Sequence, residues 1–360
     1  MKQKVMLGMS GGVDSSVAAI LLLEQGYDVV GVTLKLRPDE YMTGSLSGGC
    51  CSLDDIGDAK RVADALSIPH YVLGFTDVFA ASVIDNFAAE YKRGRTPNPC
   101  IACNRYVKFG AMLQKALGMG MDYIATGHYA VIEQGAAGRF LLRRSLAKKD
   151  QSYVLYSMTQ HELAHTLFPL GDMDKAQARD IARSHGLPVA NKPDSQEICF
   201  VEDNNYARFI EKYTGEIAPS GDFIDRQGTV IGRHKGITHY TIGQRKGLGA
   251  TFGKPMYVTG LDTETNRITL GEEGSQYASA LVAEDLNWIA FDRLGEERSA
   301  LVKVRYQAEP VPARIVPDGE ARVSVRFQSP QRAVTPGQAV VFYDDRHVLG
   351  GGTILQTTGI

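Results

Sequence analysis

The sequence predicts an α/β fold in which a parallel-sheet domain precedes a small mainly β domain and a C-terminal β-barrel. Three observations predict it. Strand-like and helix-like segments alternate over the first half of the chain, which is typical of a parallel sheet covered on both faces. Helical periodicity largely stops near residue 205, where segments that look like hairpins begin. From about residue 280 the chain continues as short alternating strands, which favour a small barrel or sandwich.

Hydrophobic spacing predicts the elements of the first half in order. Residues 4–9 indicate a buried strand, and apolar residues at helical spacing follow it up to Gly26, which ends the first helix. Further strands are predicted at 28–36, 70–75 and 122–132, with the helix DDIGDAKRVADALSI before the third strand. Parallel sheets bind ligands beyond the C-terminal ends of their strands, so the loop after the first strand is the first candidate site.

Turn residues and strand patterns predict the second half. Residues 221–232 and 257–272 look like hairpins, and five strand-like segments follow: LVKVRYQ, ARIV, ARVSVRF, AVVFYD and HVLGGGTI. We place the domain boundaries at 1–204, 205–279 and 280–360.

Composition limits the classes of protein to which the chain can belong. It has 360 residues, of which 44% are hydrophobic and 22% charged, and this excludes a disordered chain. A net charge of -2 excludes a globally cationic nucleic-acid binder, so any such site must be a local basic patch. We find no signal-peptide pattern and no membrane-spanning run, and expect a cytoplasmic protein without a membrane partner. The five cysteines, an odd number, favour chemistry or metal binding over a set of structural disulfides.

The Ser10 loop, residues 10–16 with sequence SGGVDSS, joins the first strand to the first helix. Backbone amides at such a corner point together and attract an anion, and Gly11 and Gly12 allow a ligand to approach closely. A Walker loop would end in a lysine on the terminal phosphates, but this loop instead contains Asp14, which could hold Mg²⁺. The pattern predicts a nucleotide bound for pyrophosphate release; the alternative is a plain strand–turn–helix corner.

Two separated cysteine segments suggest sulfur chemistry. Cys103, in GRTPNPCIACNRYVKFG, is predicted at the start of a helix near Arg95 and Arg105, which favours the reactive thiolate. Cys199, in NKPDSQEICF, lies near Lys192. One cysteine could carry a persulfide and the other could resolve it as a disulfide. The alternative for Cys199, which lies between apolar neighbours, is a buried small hydrophobe.

Together these segments resemble the tRNA-specific 2-thiouridylase family, which belongs to the PP-loop ATP pyrophosphatases. The matching segments are GMSGGVDSSVAA, GRTPNPCIACNRYVKFG, YIATGHYA, KKDQSYVLY, KPDSQEICF, THYTIGQRKGLG and VRYQ, spread over nearly the whole chain. The resemblance implies a Rossmann-like PP-loop domain and a tRNA-uridine 2-sulfurtransferase. Such an enzyme uses ATP and Mg²⁺ to adenylate the wobble uridine, U34, and transfers persulfide sulfur to give 2-thiouridine, AMP and pyrophosphate.

Carried over position by position, the resemblance implies roles for individual residues. ATP is held by Gly8, Met9, Ser10, Gly11, Gly12, Val13, Asp14, Ser15, Leu34 and Gly127, with Mg²⁺ bound to Asp14 through ATP. The target base is surrounded by Asn98, Pro99 and Cys100, and tRNA is contacted by His128, Lys149, Asp150, Gln151, Arg305, Tyr306 and Gln338. Cys103 is the nucleophile, and Cys199 carries a persulfide supplied by a sulfur-donor protein.

Three short basic clusters support an RNA partner. They comprise Lys92, Arg93 and Arg95; Arg143, Arg144, Lys148 and Lys149; and Arg233, Lys235, Arg245 and Lys246. Each alone could be a solvated face. His128 could equally be a histidine at the end of the sheet with its hydrogen bonds satisfied.

One departure from the family pattern keeps a second chemistry open. Many relatives carry aspartate where this chain has Cys100, so the loop here is C-x-x-C. With Cys103 and Cys199 it gives three thiolates, enough for a [4Fe–4S] cluster with one open iron, and zinc or a redox pair would also suit. Cys50 and Cys51 are further possible ligands. We favour the persulfide route over the cluster.

Two other classes of protein also stay open. A PP-loop amidotransferase-type ligase would not require Cys103 or Cys199. A non-catalytic RNA-binding protein would release neither AMP nor pyrophosphate.

Overall fold

The computed structural model describes residues 2–37, 53–135, 138–193, 198–201 and 203–359. Cys50 and Cys51 lie outside the described residues. The chain divides into two compact units. The first comprises Met1–Ile84, Pro99–Asn204 and Arg346–Val348, and the second Asp85–Asn98, Asn205–Asp345 and Leu349–Ile360. The second unit therefore takes in Asp85–Asn98, which the predicted boundaries assign to the first domain.

Short helices alternate with the strands of the first half. The α-helices are α1 (Val13–Glu24), α2 (Leu53–Ala65), α3 (Thr76–Phe79), α4 (Asp85–Lys92), α5 (Pro99–Ala102), α6 (Leu113–Gly118), α7 (Gln160–Ala164), α8 (Lys175–Ser184) and α9 (Tyr206–Thr214). Within the described ranges, Ala80–Ile84 and Cys103–Met112 are π-helical, and Ser152–Leu155 and Ile237–His239 form 3₁₀ turns. None of the helices in the described ranges is long and apolar enough to cross a membrane.

A parallel sheet forms the centre of the first unit. The strands of this unit are β1 (Lys4–Gly8), β2 (Asp28–Lys35), β3 (His70–Gly74), β4 (Tyr123–Ala125), β5 (Ala130–Gln134), β6 (Phe140–Arg144) and β7 (Thr166–Leu167). Five of them pair in the order β3-β2-β1-β4-β7, all parallel. Val5, Met6 and Leu7 of β1 are completely buried, because side chains on both faces of a covered sheet are excluded from water. The predicted α/β fold class is confirmed.

The predicted strand at 122–132 is wrong in one respect, because the structure divides it into β4 and β5. The chain leaves the sheet after Ala125 and passes close to the start of α1 at Gly127. A Cβ atom on Gly127 would lie 2.8 Å from the backbone of Asp14 and Ser15, so the crossing requires glycine. Beyond it β5 pairs antiparallel with β6 in a separate hairpin.

The second unit consists mainly of antiparallel strands. They are β8 (Gly221–Ile224), β9 (Val230–His234), β10 (Tyr257–Asp262), β11 (Arg267–Gly271), β12 (Tyr277–Trp288), β13 (Arg298–Lys303), β14 (Val311–Asp318), β15 (Arg322–Arg332), β16 (Ala339–Tyr343) and β17 (Val348–Gly359). Both predicted hairpins form, as β8–β9 and β10–β11. Strands β12 to β17 close into a barrel, which decides between the predicted barrel and sandwich.

Candidate active site

The Ser10 loop follows the C-terminal end of β1 and is stabilised by hydrogen bonds between its own residues. The hydroxyls of Ser15 and Ser16 donate hydrogen bonds to the Gly12 carbonyl, at 3.1 and 2.9 Å. Gly11 adopts a left-handed backbone with φ +68°, and a Cβ atom there would lie 2.3 Å from the Asp55 carbonyl oxygen. The sequence of the loop therefore fixes its shape, since no other residue fits at Gly11 without displacing α2.

Two residues that the sequence analysis missed hold the loop at its first end. The buried Thr33 hydroxyl donates to the Met9 carbonyl at 2.9 Å and lies 2.9 Å from Nε2 of His70. Because a threonine hydroxyl has one proton and Met9 accepts it, His70 must donate from Nε2. Burial lowers the pKa of His70 and so favours the neutral ring, which can make this bond when its proton is on Nε2. No local pattern marks this pair, because the two residues meet only through the pairing of β2 with β3.

Asp14, in the first turn of α1, has two ammonium groups and a phenol around it. Oδ1 accepts from Tyr129 Oη at 2.6 Å and from Lys175 Nζ at 2.6 Å, and Oδ2 accepts from Lys149 Nζ at 3.0 Å. The ammonium of Lys149 also lies 4.7 Å from the centre of the Tyr129 ring. The family resemblance implies a tRNA contact for Lys149, and no sequence motif marks Lys175. The Ser10 loop contains no lysine, but two lysines from other segments contact the carboxylate of Asp14.

The segment that carries Lys149 is joined to the chain that crosses the Ser10 loop. Gln151 accepts a hydrogen bond from Tyr129 N at 3.0 Å and donates its own backbone N–H to Tyr129 O at 2.8 Å. The carboxylate of Asp150 accepts from the backbone of Ser152 at 3.1 Å. Gly127 lies against the backbone of Asp14 and Ser15, and its predicted role in ATP binding stays a prediction. Asp150 and Gln151 make internal hydrogen bonds. Their predicted contacts with tRNA stay predictions.

His128 lies in this crossing segment and is buried, with 8% of its surface exposed. Nδ1 lies 2.7 Å from the hydroxyl of Thr126, and the ring packs between Phe109 and Phe168. Burial, assisted by nearby lysines, holds the pKa of His128 well below its usual value. His128 is therefore neutral and hydrogen-bonded in this structure, and its predicted tRNA contact remains a prediction.

We expect the burial of His128 to make folding sensitive to acid. Below pH ~6.5, the usual histidine pKa, His128 is protonated in the unfolded chain but stays neutral in the folded chain. The free energy of unfolding therefore decreases as pH falls. The slope from one such group approaches about 1.4 kcal/mol per pH unit. Urea unfolding at several pH values should show a shallower slope below pH ~6.5 for His128→Gln than for the parent chain.

His161→Gln is the matched control for this measurement, because His161 is exposed. If His128→Gln and His161→Gln followed the same pH dependence as the parent chain, the buried neutral ring would not be the cause.

Cys103 lies one turn further into a helix than the sequence predicts. The helical run begins at Pro99 with α5 and continues directly into the π-helical stretch that Cys103 opens. Cys100 is therefore nearer to the helix start; it is exposed, while Cys103 is half-buried. The prediction that Cys103 starts the helix is wrong by about one turn, because α5 already supplies helical turns before it.

Asn104, the residue after Cys103, connects this helix to the Lys149 segment, residues 149–155. Asn104 is 2% exposed, and Nδ2 donates to the Val154 carbonyl at 2.9 Å. Oδ1 of Asn104 is buried and has no hydrogen-bond partner among the described residues. Val154 belongs to the 3₁₀ turn that follows Gln151, so this bond joins the cysteine helix to the segment beside Asp14.

Cys199 is half-buried beside an anchored neighbour. Phe200 is 3% exposed and packs edge-on against Phe79, with ring centres 5.8 Å apart. The alternative of a buried small hydrophobe does not describe Cys199, because part of its surface stays exposed.

The chain that leads to Cys199 is attached beside the Ser10 loop. Lys192 Nζ lies 2.6 Å from Asp55 Oδ1 and 2.5 Å from Asp58 Oδ2. The pKa of Lys192 is raised, because these carboxylates outweigh the burial that by itself would lower it. Arg179 donates to the carbonyl of Lys192 at 3.1 Å. Asp55 is also the residue that borders Gly11, so α2 connects this chain to the loop.

The three cysteines that lie in the described ranges do not assemble as metal ligands. Over the described ranges, no group of three or more His, Cys, Asp or Glu residues is placed to hold a metal ion. Cys100, Cys103 and Cys199 all lie within those ranges. Their arrangement here does not fit a [4Fe–4S] cluster.

In the second unit, Gln338 binds the backbone that precedes the cysteine helix. Nε2 of Gln338 donates to the carbonyl of Thr96 at 2.9 Å and to that of Pro97 at 3.3 Å. Thr96 N donates to the Pro336 carbonyl at 2.9 Å. The backbone of 96–97 is thus bonded to the barrel two residues before Pro99, the first residue of α5. The sequence analysis predicts a tRNA contact for Gln338, and the structure adds this internal role.

We expect Gln338→Glu to destabilise the protein by about 1–2 kcal/mol, because a carboxylate would face two carbonyl oxygens. The free energy of urea unfolding and the Kd for tRNA measure the two roles separately. Gln331→Glu is the control, since Gln331 bonds only locally to Ser329 within the described contacts. A variant with weaker tRNA binding but unchanged stability would show that Gln338 serves RNA and not the fold.

The first basic cluster is largely neutralised within the second unit. Lys92 pairs with Glu216 at 2.9 Å, and Arg93 and Arg95 both pair with Glu90 at 2.9 Å. This cluster is a weaker candidate for phosphate contacts than its sequence suggests. Arg305 and Tyr306 follow β13, and Tyr306 is 38% exposed; their tRNA contacts remain predictions.

Comparisons with known proteins cover nearly the whole chain. Residues 3–203 match the family model described as the tRNA methyl transferase HUP domain. Residues 207–272 match its PRC-barrel domain and residues 278–354 an aminomethyltransferase beta-barrel domain. The chain is 55% identical to the tRNA-specific 2-thiouridylase MnmA of Acetivibrio thermocellus, over 98% of this chain and 99% of the relative. It is 52% identical to that of Clostridioides difficile, over 98% of each chain.

Proposed function

Because the chain belongs to the tRNA-specific 2-thiouridylase family, we propose that it uses ATP to replace the C2 oxygen of the tRNA wobble uridine by sulfur. The product is 2-thiouridine, and the reaction takes place in the cytoplasm, where a sulfur-donor protein supplies the persulfide. The observation that carries the proposal is the Ser10 loop, which presents a glycine cradle, Asp14 and two lysines at one strand end.

ATP makes the uridine oxygen a leaving group. O2 of the base attacks the α-phosphorus, the bond to the β-phosphate oxygen breaks, and pyrophosphate leaves. Backbone amides at the start of α1 stabilise the phosphate charge that builds during this step. One carboxylate together with substrate phosphates is a usual Mg²⁺ donor set, so Asp14 would bind a Mg²⁺ ion that enters with ATP and offsets that charge.

Sulfur then replaces the adenylated oxygen. The terminal sulfur of a persulfide on Cys199 adds to C2, and AMP leaves with the former O2. The thiolate of Cys103 attacks the Sγ of Cys199, the S–S bond of the persulfide breaks, and its electron pair stays on the sulfur bound to C2. The two cysteines become a disulfide as the transferred sulfur is reduced, and an external thiol reductant restores them. Splitting one displacement into two steps lowers the barrier.

The half-buried settings of Cys103 and Cys199 support these roles, since reactive cysteines need partial exposure. The segments that carry them also support the proposal. The Cys199 chain is attached through Lys192 to α2 beside Gly11, and the Cys103 helix is attached through Asn104 to the turn that follows Lys149.

The proposal is tested by mass analysis of the wobble nucleoside. Unmodified tRNA is incubated with the protein, ATP, Mg²⁺ and a persulfide donor, digested, and analysed for replacement of one oxygen by sulfur. We expect this mass change only when ATP is present. Pyrophosphate release without the mass change would favour the ligase, and neither signal would favour a protein that only binds RNA.

A further inference from the structure

We propose that Lys149 and Lys175 bind the β- and γ-phosphates of ATP and so replace the lysine that the Ser10 loop lacks. The inference rests on the proposed function in one respect, that ATP occupies this loop. It assigns a ligand to Lys175, for which the sequence shows no motif. It also gives Lys149 a role other than the tRNA contact expected of it.

The two lysines come from separate elements and meet at one carboxylate. Lys175 is the first residue of α8, and Lys149 precedes the 3₁₀ turn at Ser152–Leu155. Their ammonium groups lie 2.6 and 3.0 Å from opposite oxygens of Asp14. The side chains of Asp14, Lys149 and Lys175 are each about a quarter exposed, at 23%, 25% and 23%. They are therefore partly shielded from water, which strengthens their interactions with a charged ligand.

The charges of this cluster suit a polyanion. Among the described residues the cluster has two ammonium groups around one carboxylate, and the start of α1 adds the positive end of the helix dipole. Asp14 serves as the counterion that keeps both lysines at the loop when no nucleotide is bound. When ATP enters with Mg²⁺, the carboxylate can turn to the metal and release both ammonium groups to phosphate oxygens.

Tyr129 fixes the starting geometry of this exchange. It is completely buried, donates its hydroxyl proton to Asp14 at 2.6 Å, and lies under the Lys149 ammonium. The phenol therefore orients the carboxylate, and the ring restricts Lys149 to the side of the loop. A Walker lysine lies in sequence next to its loop. Here the same charge reaches the loop from α8 and from the Lys149 segment.

Binding of ligands that differ only in their phosphates tests the inference without tRNA. Calorimetry compares the affinity for Mg²⁺ with α,β-methylene-ATP, which cannot release pyrophosphate, against the affinity for AMP. Because each variant loses a charge-assisted bond to a phosphate oxygen, we expect Lys149→Met and Lys175→Met each to weaken binding of the ATP analogue ~10-fold or more. AMP affinity should be unchanged, Lys175→Arg should recover most of the loss, and Lys115→Met, an exposed control, should have no effect.

Two results would overturn the assignment. One is unchanged affinity for the analogue in both lysine variants; the other is an equal loss for the analogue and AMP, which would indicate general damage to the site. Thermal unfolding checks that each variant is folded, and the two lysines provide independent variants on different elements. The parent chain distinguishes failure of the proposed function from failure of this inference. If it binds the ATP analogue more tightly than AMP but forms no thiolated tRNA, the proposed function is wrong and the assignment of the two lysines stands.

Discussion

Replacing Cys199 by serine is expected to abolish 2-thiouridine formation while tRNA-dependent release of pyrophosphate continues. Serine keeps the size of the side chain but cannot carry a persulfide, so the adenylated base forms and receives no sulfur. Phe200 and Lys192 hold the flanking chain through contacts that do not involve the thiol, and we therefore expect the variant to fold. The measurement pairs mass analysis of the wobble nucleoside with a pyrophosphate assay on the same sample.

Cys103→Ser should give the same loss of product for a different reason, because the persulfide sulfur can add but cannot be released. A Cys199 persulfide should then persist in Cys103→Ser and be absent in Cys199→Ser, as intact-protein mass spectrometry after loading with a persulfide donor can show. If either variant formed 2-thiouridine at the parent rate, the proposed sulfur route would be wrong.

Cys100 separates the persulfide route from the cluster route. Cys100→Asp replaces the thiol by a carboxylate, and on the persulfide route, which does not use this thiol, we expect product formation within a few-fold of the parent. A cluster held by Cys100, Cys103 and Cys199 would lose a ligand in the same variant, and activity would disappear. Iron and labile-sulfide analysis of anaerobically purified parent protein gives the independent check, and a stoichiometric cluster lost in Cys100→Asp would favour the alternative.

The sequence predicts this fold well where the signal is local. Buried strands, helix ends and tight turns follow from short patterns of residues, so the parallel sheet and both hairpins appear where they were expected. The division of the strand at 122–132 was missed because its cause is distant. Ala125 and Tyr129 are both apolar enough for a continuous strand, and only the backbone of α1 beside Gly127 turns the chain away.

The site was predictable only in part, for the same reason. The glycines, Asp14 and the cysteines stand in recognisable strings, whereas Lys175 lies 161 positions from Asp14 and Thr33 lies 37 positions from His70. Such pairs depend on strand order and helix packing, and a single sequence contains no period that marks them. The roles of Asp55 and Lys192 are hidden for the same reason. Asp55, near the start of α2, borders Gly11 and also pairs with the distant Lys192.

Gly11→Ala is expected to cost about 2 kcal/mol or more of stability and to remove ATP binding. The left-handed backbone at φ +68° penalises any residue with a Cβ atom, and that atom would lie 2.3 Å from the Asp55 carbonyl oxygen. Since the obstacle is backbone, α2 must shift. Its movement would disturb both the loop and the Lys192–Asp55 contact beside it. Urea unfolding and calorimetry with Mg²⁺ and α,β-methylene-ATP measure the two effects.

The adjacent glycine provides the matched control. Gly12 has φ -98°, which any residue adopts, and a Cβ atom there would meet only the Ser10 hydroxyl at an ordinary 3.5 Å. Gly12→Ala should therefore leave the free energy of unfolding within about 0.5 kcal/mol of the parent, or raise it slightly by restricting the unfolded chain. Any loss of ATP affinity in Gly12→Ala would then report close approach of the nucleotide to the loop. Equal destabilisation by the two substitutions would contradict the inference that the Gly11–Asp55 contact fixes the shape of the phosphate-binding loop.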